Sequence, residues 1–139
     1  MILLLVLFLI YSGIAFYTFR FQRVTLSISR KLLDYGDTNT QMILTPNWVG
    51  ILGWISTGLL LVNGVLFFVF YGWVYILMLS FFHFFGLAIL EKFSPIPPYG
   101  YFFEIIEKHL GNEIKNSKDK EKENFLKKML GNVQRNKFK

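Results

Sequence analysis

Residues 48–90 read WVGILGWISTGLLLVNGVLFFVFYGWVYILMLSFFHFFGLAIL and contain no Asp, Glu, Lys or Arg. The uncharged run begins earlier, at Thr38, and covers 53 residues. Tyr71-Gly72 divides its apolar part into two segments, Trp48–Phe70 and Trp73–Leu90. At 1.5 Å per residue these segments would form helices of about 35 Å and roughly 27 Å, close to the hydrocarbon thickness of a bilayer. The stretch therefore predicts a tight transmembrane hairpin.

A third apolar segment, Ile2–Phe19, precedes this stretch. It has no basic region ahead of it and no small-residue cleavage motif after it, and an Arg-rich transit peptide is also absent. We therefore prefer an uncleaved spanning helix to a removable signal peptide. The predicted fold class is an all-α integral membrane protein with three transmembrane helices and a C-terminal tail that carries short amphipathic helices.

The charged residues lie between and after these apolar segments, and they predict a topology. The loop after the first segment carries four Lys/Arg, the Tyr71-Gly72 turn none, and the tail eleven. Because basic residues stay on the inner side, we expect the N-terminus outside and the C-terminus inside. The expected division is transmembrane helix 1 (2–19), an inner polar loop (20–47), transmembrane helix 2 (48–70), transmembrane helix 3 (73–90) and a basic inner tail (91–139).

The loop contains two features of its own. Phe21, Val24, Leu26 and Ile28 mostly alternate with polar residues, which is typical of an extended segment, but the same residues next to a membrane could form an interfacial helix. Both alternatives stay open at this point. The residues that follow, Asp34–Asp37, resemble a turn.

The tail is predicted to begin with a stiff proline-rich exit from the membrane, Pro95–Pro98. Apolar residues then recur at helical spacing up to Gly111-Asn112, where glycine is a good helix stop. A second short amphipathic segment ends at Gly131-Asn132, and the charged run Lys115–Glu123 between them reads as a solvated link.

Three polar residues lie inside the predicted membrane segments: Asn63, Ser80 and His83. In a hairpin closed at Tyr71-Gly72, Asn63 and Ser80 are level, and Ser80 and His83 share a face. A hydrogen bond between helices here would stabilise packing by about 0.6 to 2 kcal/mol. The alternative is that His83 ligates haem or relays protons. No metal-ligand partner lies at a recognised spacing, so we favour packing and expect no cofactor.

A stripe of small residues runs along the second segment, at steps of three and four residues or their multiples: Gly50, Gly53, Thr57 and Gly64. Such a face permits close approach of another helix. That helix could be the first span, the third span or part of another protein. Together with Asn63, Ser80 and His83, the stripe makes up the predicted helix-packing set.

The basic residues next to the first span are candidates for contact with anionic lipid headgroups: Arg20, Arg23, Arg30 and Lys31. Each would contribute about 1 kcal/mol near a membrane surface. We expect bound anionic lipid to be possible and no nucleic acid to bind, because the charges of the tail are mixed in sign. No small-molecule substrate is inferred.

The composition bears on origin. The chain has no Cys, which excludes disulfides and thiolate metal sites. Alanine occurs only at Ala15 and Ala88, while Phe is abundant and Lys outnumbers Arg. An AT-rich genome would produce this bias. We therefore expect the mitochondrial inner membrane, with the bacterial cytoplasmic membrane as the alternative.

These patterns weigh against an enzyme, since no carboxylate dyad, Ser/His/Asp arrangement or phosphate-binding glycine loop is evident. The preferred hypothesis is a small accessory subunit of a larger membrane complex, such as an organelle-encoded subunit of a respiratory-chain or ATP-synthase assembly. Its partners would be other membrane subunits and lipids. The alternative is a homo-oligomeric channel, transporter or pore former, since the layout is similar to that of small phage holins.

Overall fold

The computed structural model describes residues 2–31, 40–94 and 98–137, and the side chains of all these residues except Lys31, Asn136 and Lys137. Over these ranges the chain is helical and contains no β-strand. In chain order the helices are α1 (Ile2–Lys31), α2 (Thr40–Leu44), α3 (Asn47–Tyr71), α4 (Trp73–Phe81), a π-helical turn (Phe82–Gly86), α5 (Leu87–Phe93), α6 (Tyr99–Asn116) and α7 (Lys120–Lys137).

Three helical segments are long and apolar enough to cross a membrane: Ile2–Arg30, Asn47–Tyr71 and Trp73–Phe93. The predictions of an all-α chain and of three such helices are confirmed. In an apolar stretch of 18 residues within each segment, only 17, 11 and 11% of the residues, respectively, are buried within the protein. Most of their apolar surface therefore faces outward.

Helix α1 is longer than the apolar segment that predicted it, since it passes Phe19 and continues to Lys31. The added part buries Phe21, Val24 and Ile28, which are spaced by three and four residues, while Leu26 is 38% exposed. This spacing places the buried side chains on one face of a helix. Of the two alternatives left open for this part of the loop, the structure shows the helical one. The turn expected at Asp34–Asp37 lies outside the described residues.

The chain forms two compact units, and the first comprises Met1–Arg20 and Trp48–Ile96. Its core contains Tyr11, Ala15, Leu79 and Leu87, with partly buried phenylalanines packed around them. At one end of this unit a small cavity is shared by Leu3, Leu4 and three residues near the end of α3, namely Leu66, Phe70 and Tyr71. Toward the start of α3, Tyr17 and Trp48 have ring centroids 6.1 Å apart. Helix α1 therefore runs antiparallel to α3.

Gly72 connects α3 to α4. Its φ of 86° is the one positive φ among the described residues, and glycine adopts this conformation without the steric cost of a side chain. The Gly72 amide donates to the carbonyl oxygen of Phe68 at 3.0 Å, which closes the end of α3. A single residue is therefore enough to start the next helix.

The second unit comprises Phe21–Asn47 and Pro97–Lys139. Helices α6 and α7 pack together with one apolar face of each buried, from Phe102, Ile106 and Leu110 on α6 and from Leu126, Met129 and Val133 on α7. The ring of Phe21 meets Phe102 edge-on at 5.7 Å, and His109 Nε2 lies 3.2 Å from the carbonyl oxygen of Ile43. This unit therefore has its own core.

The tail helices extend past the glycines that were expected to end them. Helix α6 contains Gly111 and ends at Asn116, and α7 contains Gly131 and continues to Lys137. Neither glycine has positive φ. An internal glycine costs only about 1 kcal/mol, and the buried Val133 beyond Gly131 extends the packed face. The charged link therefore shrinks to three residues, 117–119. Of the proline-rich exit, Pro95–Pro97 lies outside the described residues, while Pro98 is extended just before α6.

Candidate functional site

The first unit places a polar pair in apolar surroundings. The hydroxyl oxygen of Tyr11, on α1, lies 2.6 Å from Nδ1 of His83. The two rings stack with centroids 6.2 Å apart and an interplanar angle of 25°. Tyr11 is fully buried, whereas His83 is partly buried. Since His83 is the second residue of the π-helical turn, the pair joins α1 to that turn.

The hydrogen bond bears on which nitrogen of the imidazole carries the proton, since the donor and acceptor roles of the two atoms depend on the tautomer. A phenol hydroxyl in an apolar interior needs an acceptor, and within the described residues Nδ1 of His83 is the partner of Tyr11. We therefore assign the hydrogen bond as Tyr11 O–H donating to Nδ1, which places the ring N–H at Nε2. Nε2–H is then the donor that His83 can offer to another group.

Aromatic packing holds the pair in place. Phe8, one turn before Tyr11, lies 5.2 Å from Phe82 and 6.1 Å edge-on from Phe67. Phe82 in turn lies close over Gly86, where an added Cβ would be 2.6 Å from its ring. The π-helical turn therefore depends on glycine at position 86. π-Helical turns are rare in proteins overall, but those that occur are often found at functional sites. We therefore place the candidate site here.

Beside the pair lies a cavity of about 510 Å³ between α3 and α4, extending to the π-helical turn. Its apolar lining comes from Leu60, Leu61, Val65 and Phe68 on α3 and from Ile76, Leu79 and Phe84 beyond Gly72. Gly64, Ser80 and His83 complete the wall. Leu61 and Phe84 are 67 and 70% exposed, so the cavity opens along the side of the unit.

The structure brings two of the three predicted polar residues together. Ser80 and His83 share the cavity wall, but Asn63 does not line it. The amide of Asn63 donates from Nδ2 to the carbonyl oxygen of Leu59 on its own helix at 2.8 Å. Its Oδ1 is buried and accepts no hydrogen bond from the described residues. Asn63 therefore contributes no polar link to Ser80 or His83.

The predicted small-residue stripe is largely uncovered. A Cβ added at Gly50, Gly53 or Gly64 would meet no atom within 4 Å. Thr57 is exposed, and its hydroxyl donates to the carbonyl oxygen of Gly53 at 3.0 Å. Gly64 opens into the cavity, whereas the other three have no close helix beside them. The close helix approach that this stripe permits is therefore not made within the described chain.

The four basic residues have different environments. Arg20 is buried at 2% exposure; its Nη1 donates to the carbonyl oxygen of Ser94, and its guanidinium lies 6.0 Å from the centroid of the Phe16 ring. Arg20 thus takes part in packing the first unit, and its contact with lipid headgroups stays a prediction. Arg23 and Arg30 are exposed, as a lipid contact requires. The side chain of Lys31 lies outside the described residues.

Two residues of this unit had no role in the sequence-based site. Tyr11 lies within the apolar segment Ile2–Phe19, and its hydroxyl near the middle of a predicted span is the feature that could have identified it. Glu91 was assigned to the tail, yet it lies in the apolar helical segment Trp73–Phe93 and is buried. A carboxylate that immediately follows an uncharged run was the available signal for it.

The described residues contain no cluster of three His, Cys, Asp or Glu side chains that could hold a metal ion. No protein-family model, curated protein or solved structure matches this chain.

Proposed function

We propose that this chain is an integral membrane protein with three spans and that it acts as a non-catalytic accessory subunit packed against larger membrane partners. The observation that carries the proposal is the open stripe on α3, where Gly50 and Gly53 have no atom within 4 Å of an added Cβ. Without a hydrophobic driving force in lipid, helices associate through such small-residue faces. We propose that a transmembrane helix of another subunit packs against this stripe.

The outward-facing apolar surface supports the same proposal. Trp54, next to Gly53, is 80% exposed, and most of the surrounding helix is exposed as well. Lipid would cover part of this surface, and a partner helix would cover the stripe. Three thin helices bury little of each other, which leaves a face available for assembly.

Hydroxyl groups in the spans favour an accessory role over a water-filled pore. Ser12 donates to the carbonyl oxygen of Phe8, Thr18 to that of Ile14 and Thr57 to that of Gly53. These bonds stay within single helices and satisfy the side chains locally. A pore needs polar groups that face water along its length, so the homo-oligomeric pore former remains the second hypothesis.

The charge distribution and composition of the chain support an orientation and a location. The distribution of Lys and Arg supports an outer N-terminus and an inner C-terminus. The scarcity of Ala and the excess of Lys over Arg support an AT-rich genome. We therefore propose the mitochondrial inner membrane and a respiratory-chain or ATP-synthase assembly, with the bacterial cytoplasmic membrane as the alternative.

The test is a native-gel mass measurement of the tagged full chain after gentle detergent extraction from its own membrane. We expect one discrete hetero-complex of fixed stoichiometry. Gly53→Leu should release the free chain, because the larger side chain blocks the stripe. A homo-oligomer as the largest species would contradict the accessory role and support the pore hypothesis.

Gly58→Leu is the matched control. Gly58 lies on α3 but off the stripe, and an added Cβ there also meets no atom within 4 Å. The two variants therefore change the same helix by the same side chain. If both released the chain equally, the stripe would have no special part in assembly.

A further inference from the structure

We propose that the cavity between α3 and α4 binds a neutral, lipophilic molecule that carries a carbonyl group, and that the carbonyl accepts hydrogen bonds from His83 and Ser80. This binding site goes beyond the accessory role proposed above. It rests on the membrane insertion in that proposal but not on the presence of a protein partner.

The first observation is the pair of hydrogen-bond donors on one wall. Tyr11 occupies Nδ1 of His83, so Nε2–H is the donor that remains, and no described residue accepts a hydrogen bond from it. Ser80 lines the same cavity. Unlike Ser12 and Thr57, it forms no hydrogen bond to its own helix in the described chain. Two donors that lack acceptors in an apolar setting match a carbonyl oxygen, which has two lone pairs.

The second observation is the depth of these donors. His83 lies eleven residues beyond Gly72, which places it about 16 Å along the helix from the turn. With the turn at one membrane surface, this is near the middle of the hydrocarbon layer. A charged or zwitterionic headgroup would be costly to bring to that depth, and the wall shows no side chain of opposite charge to pair with it. The polar group of the ligand must therefore be uncharged.

The third observation is the size and access of the cavity. A volume of about 510 Å³ falls in the range of roughly 300 to 1,000 Å³ that is typical of small-molecule sites. Gly64 of α3 lines this space, and an added Cβ there would meet no atom within 4 Å. The exposed Leu61 and Phe84 leave the side of the cavity open toward the lipid. A ring of quinone size with an alkyl tail can enter from the membrane.

A lipid acyl chain is the competing occupant, since it could fill the apolar part of the cavity without using either donor. The experiment must therefore observe the Nε2–H donor of His83 directly. The chain contains two histidines, His83 and His109, so labelling the imidazole rings with ¹⁵N gives one resonance set for the site and one internal reference in the second unit.

We would incorporate the full chain into phosphatidylcholine nanodiscs and titrate it with 2-decyl-1,4-benzoquinone, using decylbenzene as the probe without carbonyls. The expected result is a saturable shift of the His83 Nε2 resonance with the quinone, no such shift with decylbenzene, and no change at His109. Equal responses to both probes would identify simple alkyl filling and would overturn the proposal.

Two variants complete the test. Gly64→Leu should fill the cavity and abolish the shift, while Gly58→Leu, on the same helix but away from the cavity, should leave it unchanged. Ser80→Ala should weaken the quinone's apparent affinity by about three- to tenfold, the effect of one lost hydrogen bond. Unchanged binding in Gly64→Leu or Ser80→Ala would overturn the site. A chain that fails to enter the discs overturns membrane insertion as well, whereas an inserted chain without a response overturns the site alone.

Discussion

The hydroxyl oxygen of Tyr11 and Nδ1 of His83 lie 2.6 Å apart although 72 positions separate them in the chain. This contact ties α1 to the π-helical turn after α4 at a point where Tyr11 is inaccessible to solvent. It also orients the imidazole, because the bond at one ring nitrogen fixes the role of the other. The same contact therefore matters for stability and for the chemistry of the neighbouring cavity.

Removing the Tyr11 hydroxyl should weaken the first unit. Tyr11→Phe keeps the ring but leaves Nδ1 of His83 without its donor, so we expect the free energy of unfolding to fall by about 0.6 to 2 kcal/mol. The measurement is unfolding of the purified chain in mixed micelles by added SDS. The double variant Tyr11→Phe, His83→Leu should lose less stability than the sum of the losses in the two single variants.

Tyr75→Phe is the matched control for that change. Tyr75 is exposed, stacks on Phe67 at 6.4 Å, and its hydroxyl has no hydrogen-bond partner among the described residues. Its loss should leave the unfolding free energy within about 0.5 kcal/mol of the original. Equal losses in the two variants would mean that the Tyr11–His83 hydrogen bond contributes nothing specific.

Gly86→Ala should destabilise the protein. The new Cβ would come within 2.6 Å of the Phe82 ring, and Phe82 must then move away from Phe8. Overpacking of this kind costs about 1 to 3 kcal/mol. Gly58→Ala, where no atom is nearby, should instead be neutral or stabilising by up to about 1 kcal/mol. The same SDS titration measures both, and a harmless Gly86→Ala would show that the π-helical turn does not need glycine.

Neutralising Arg20 and Arg23 should have different effects. Arg20→Gln removes a buried cation that donates to the carbonyl oxygen of Ser94, so we expect a clear loss of stability. Arg23→Gln removes an exposed cation and should instead reduce retention of anionic lipid by about 1 kcal/mol. Unfolding and native mass spectrometry with bound phosphatidylglycerol separate the two outcomes. If Arg20→Gln instead lost bound lipid and Arg23→Gln lost stability, Arg20 would be the residue that contacts lipid headgroups.

The topology can be tested with single cysteines because the natural chain has none. Trp73→Cys marks the end of the hairpin, and Lys118→Cys marks the link between α6 and α7. A maleimide that cannot cross membranes should label these two sites from opposite faces of sealed vesicles. Labelling of both from the same face would rule out the proposed three-span arrangement.

Much of the fold could be predicted because lack of charge over a long stretch is a strong signal. If Trp48–Leu90 lies in a membrane, as we propose, an alternative to helices would expose backbone groups to lipid. Helix ends were harder to predict. Val24, Leu26 and Ile28 alternate by sequence, yet Phe21, Val24 and Ile28 are the ones buried. Only the packing of α1 distinguishes the two-residue alternation of a strand from the three- and four-residue spacing of a helix.

The site was predictable in part. Ser80 and His83 were found because polar groups are rare in apolar segments, and their shared face follows from helical spacing. The contact of Tyr11 with His83 depends on how α1 packs against the π-helical turn, which no local pattern encodes. Asn63 illustrates the same limit, because its amide bonds to the carbonyl oxygen of Leu59 rather than to a neighbouring helix.

The most direct test of the account asks whether lipid covers the middle of α3. Leu61 is 67% exposed in the protein itself, so the thiol of Leu61→Cys would react readily with a polar maleimide if water surrounded the helix. In proteoliposomes made permeable to the reagent on both faces, we predict that Leu61→Cys stays unlabelled while Lys118→Cys is labelled fully. Labelling of both at similar rates would contradict the claim that the apolar helices lie within a membrane.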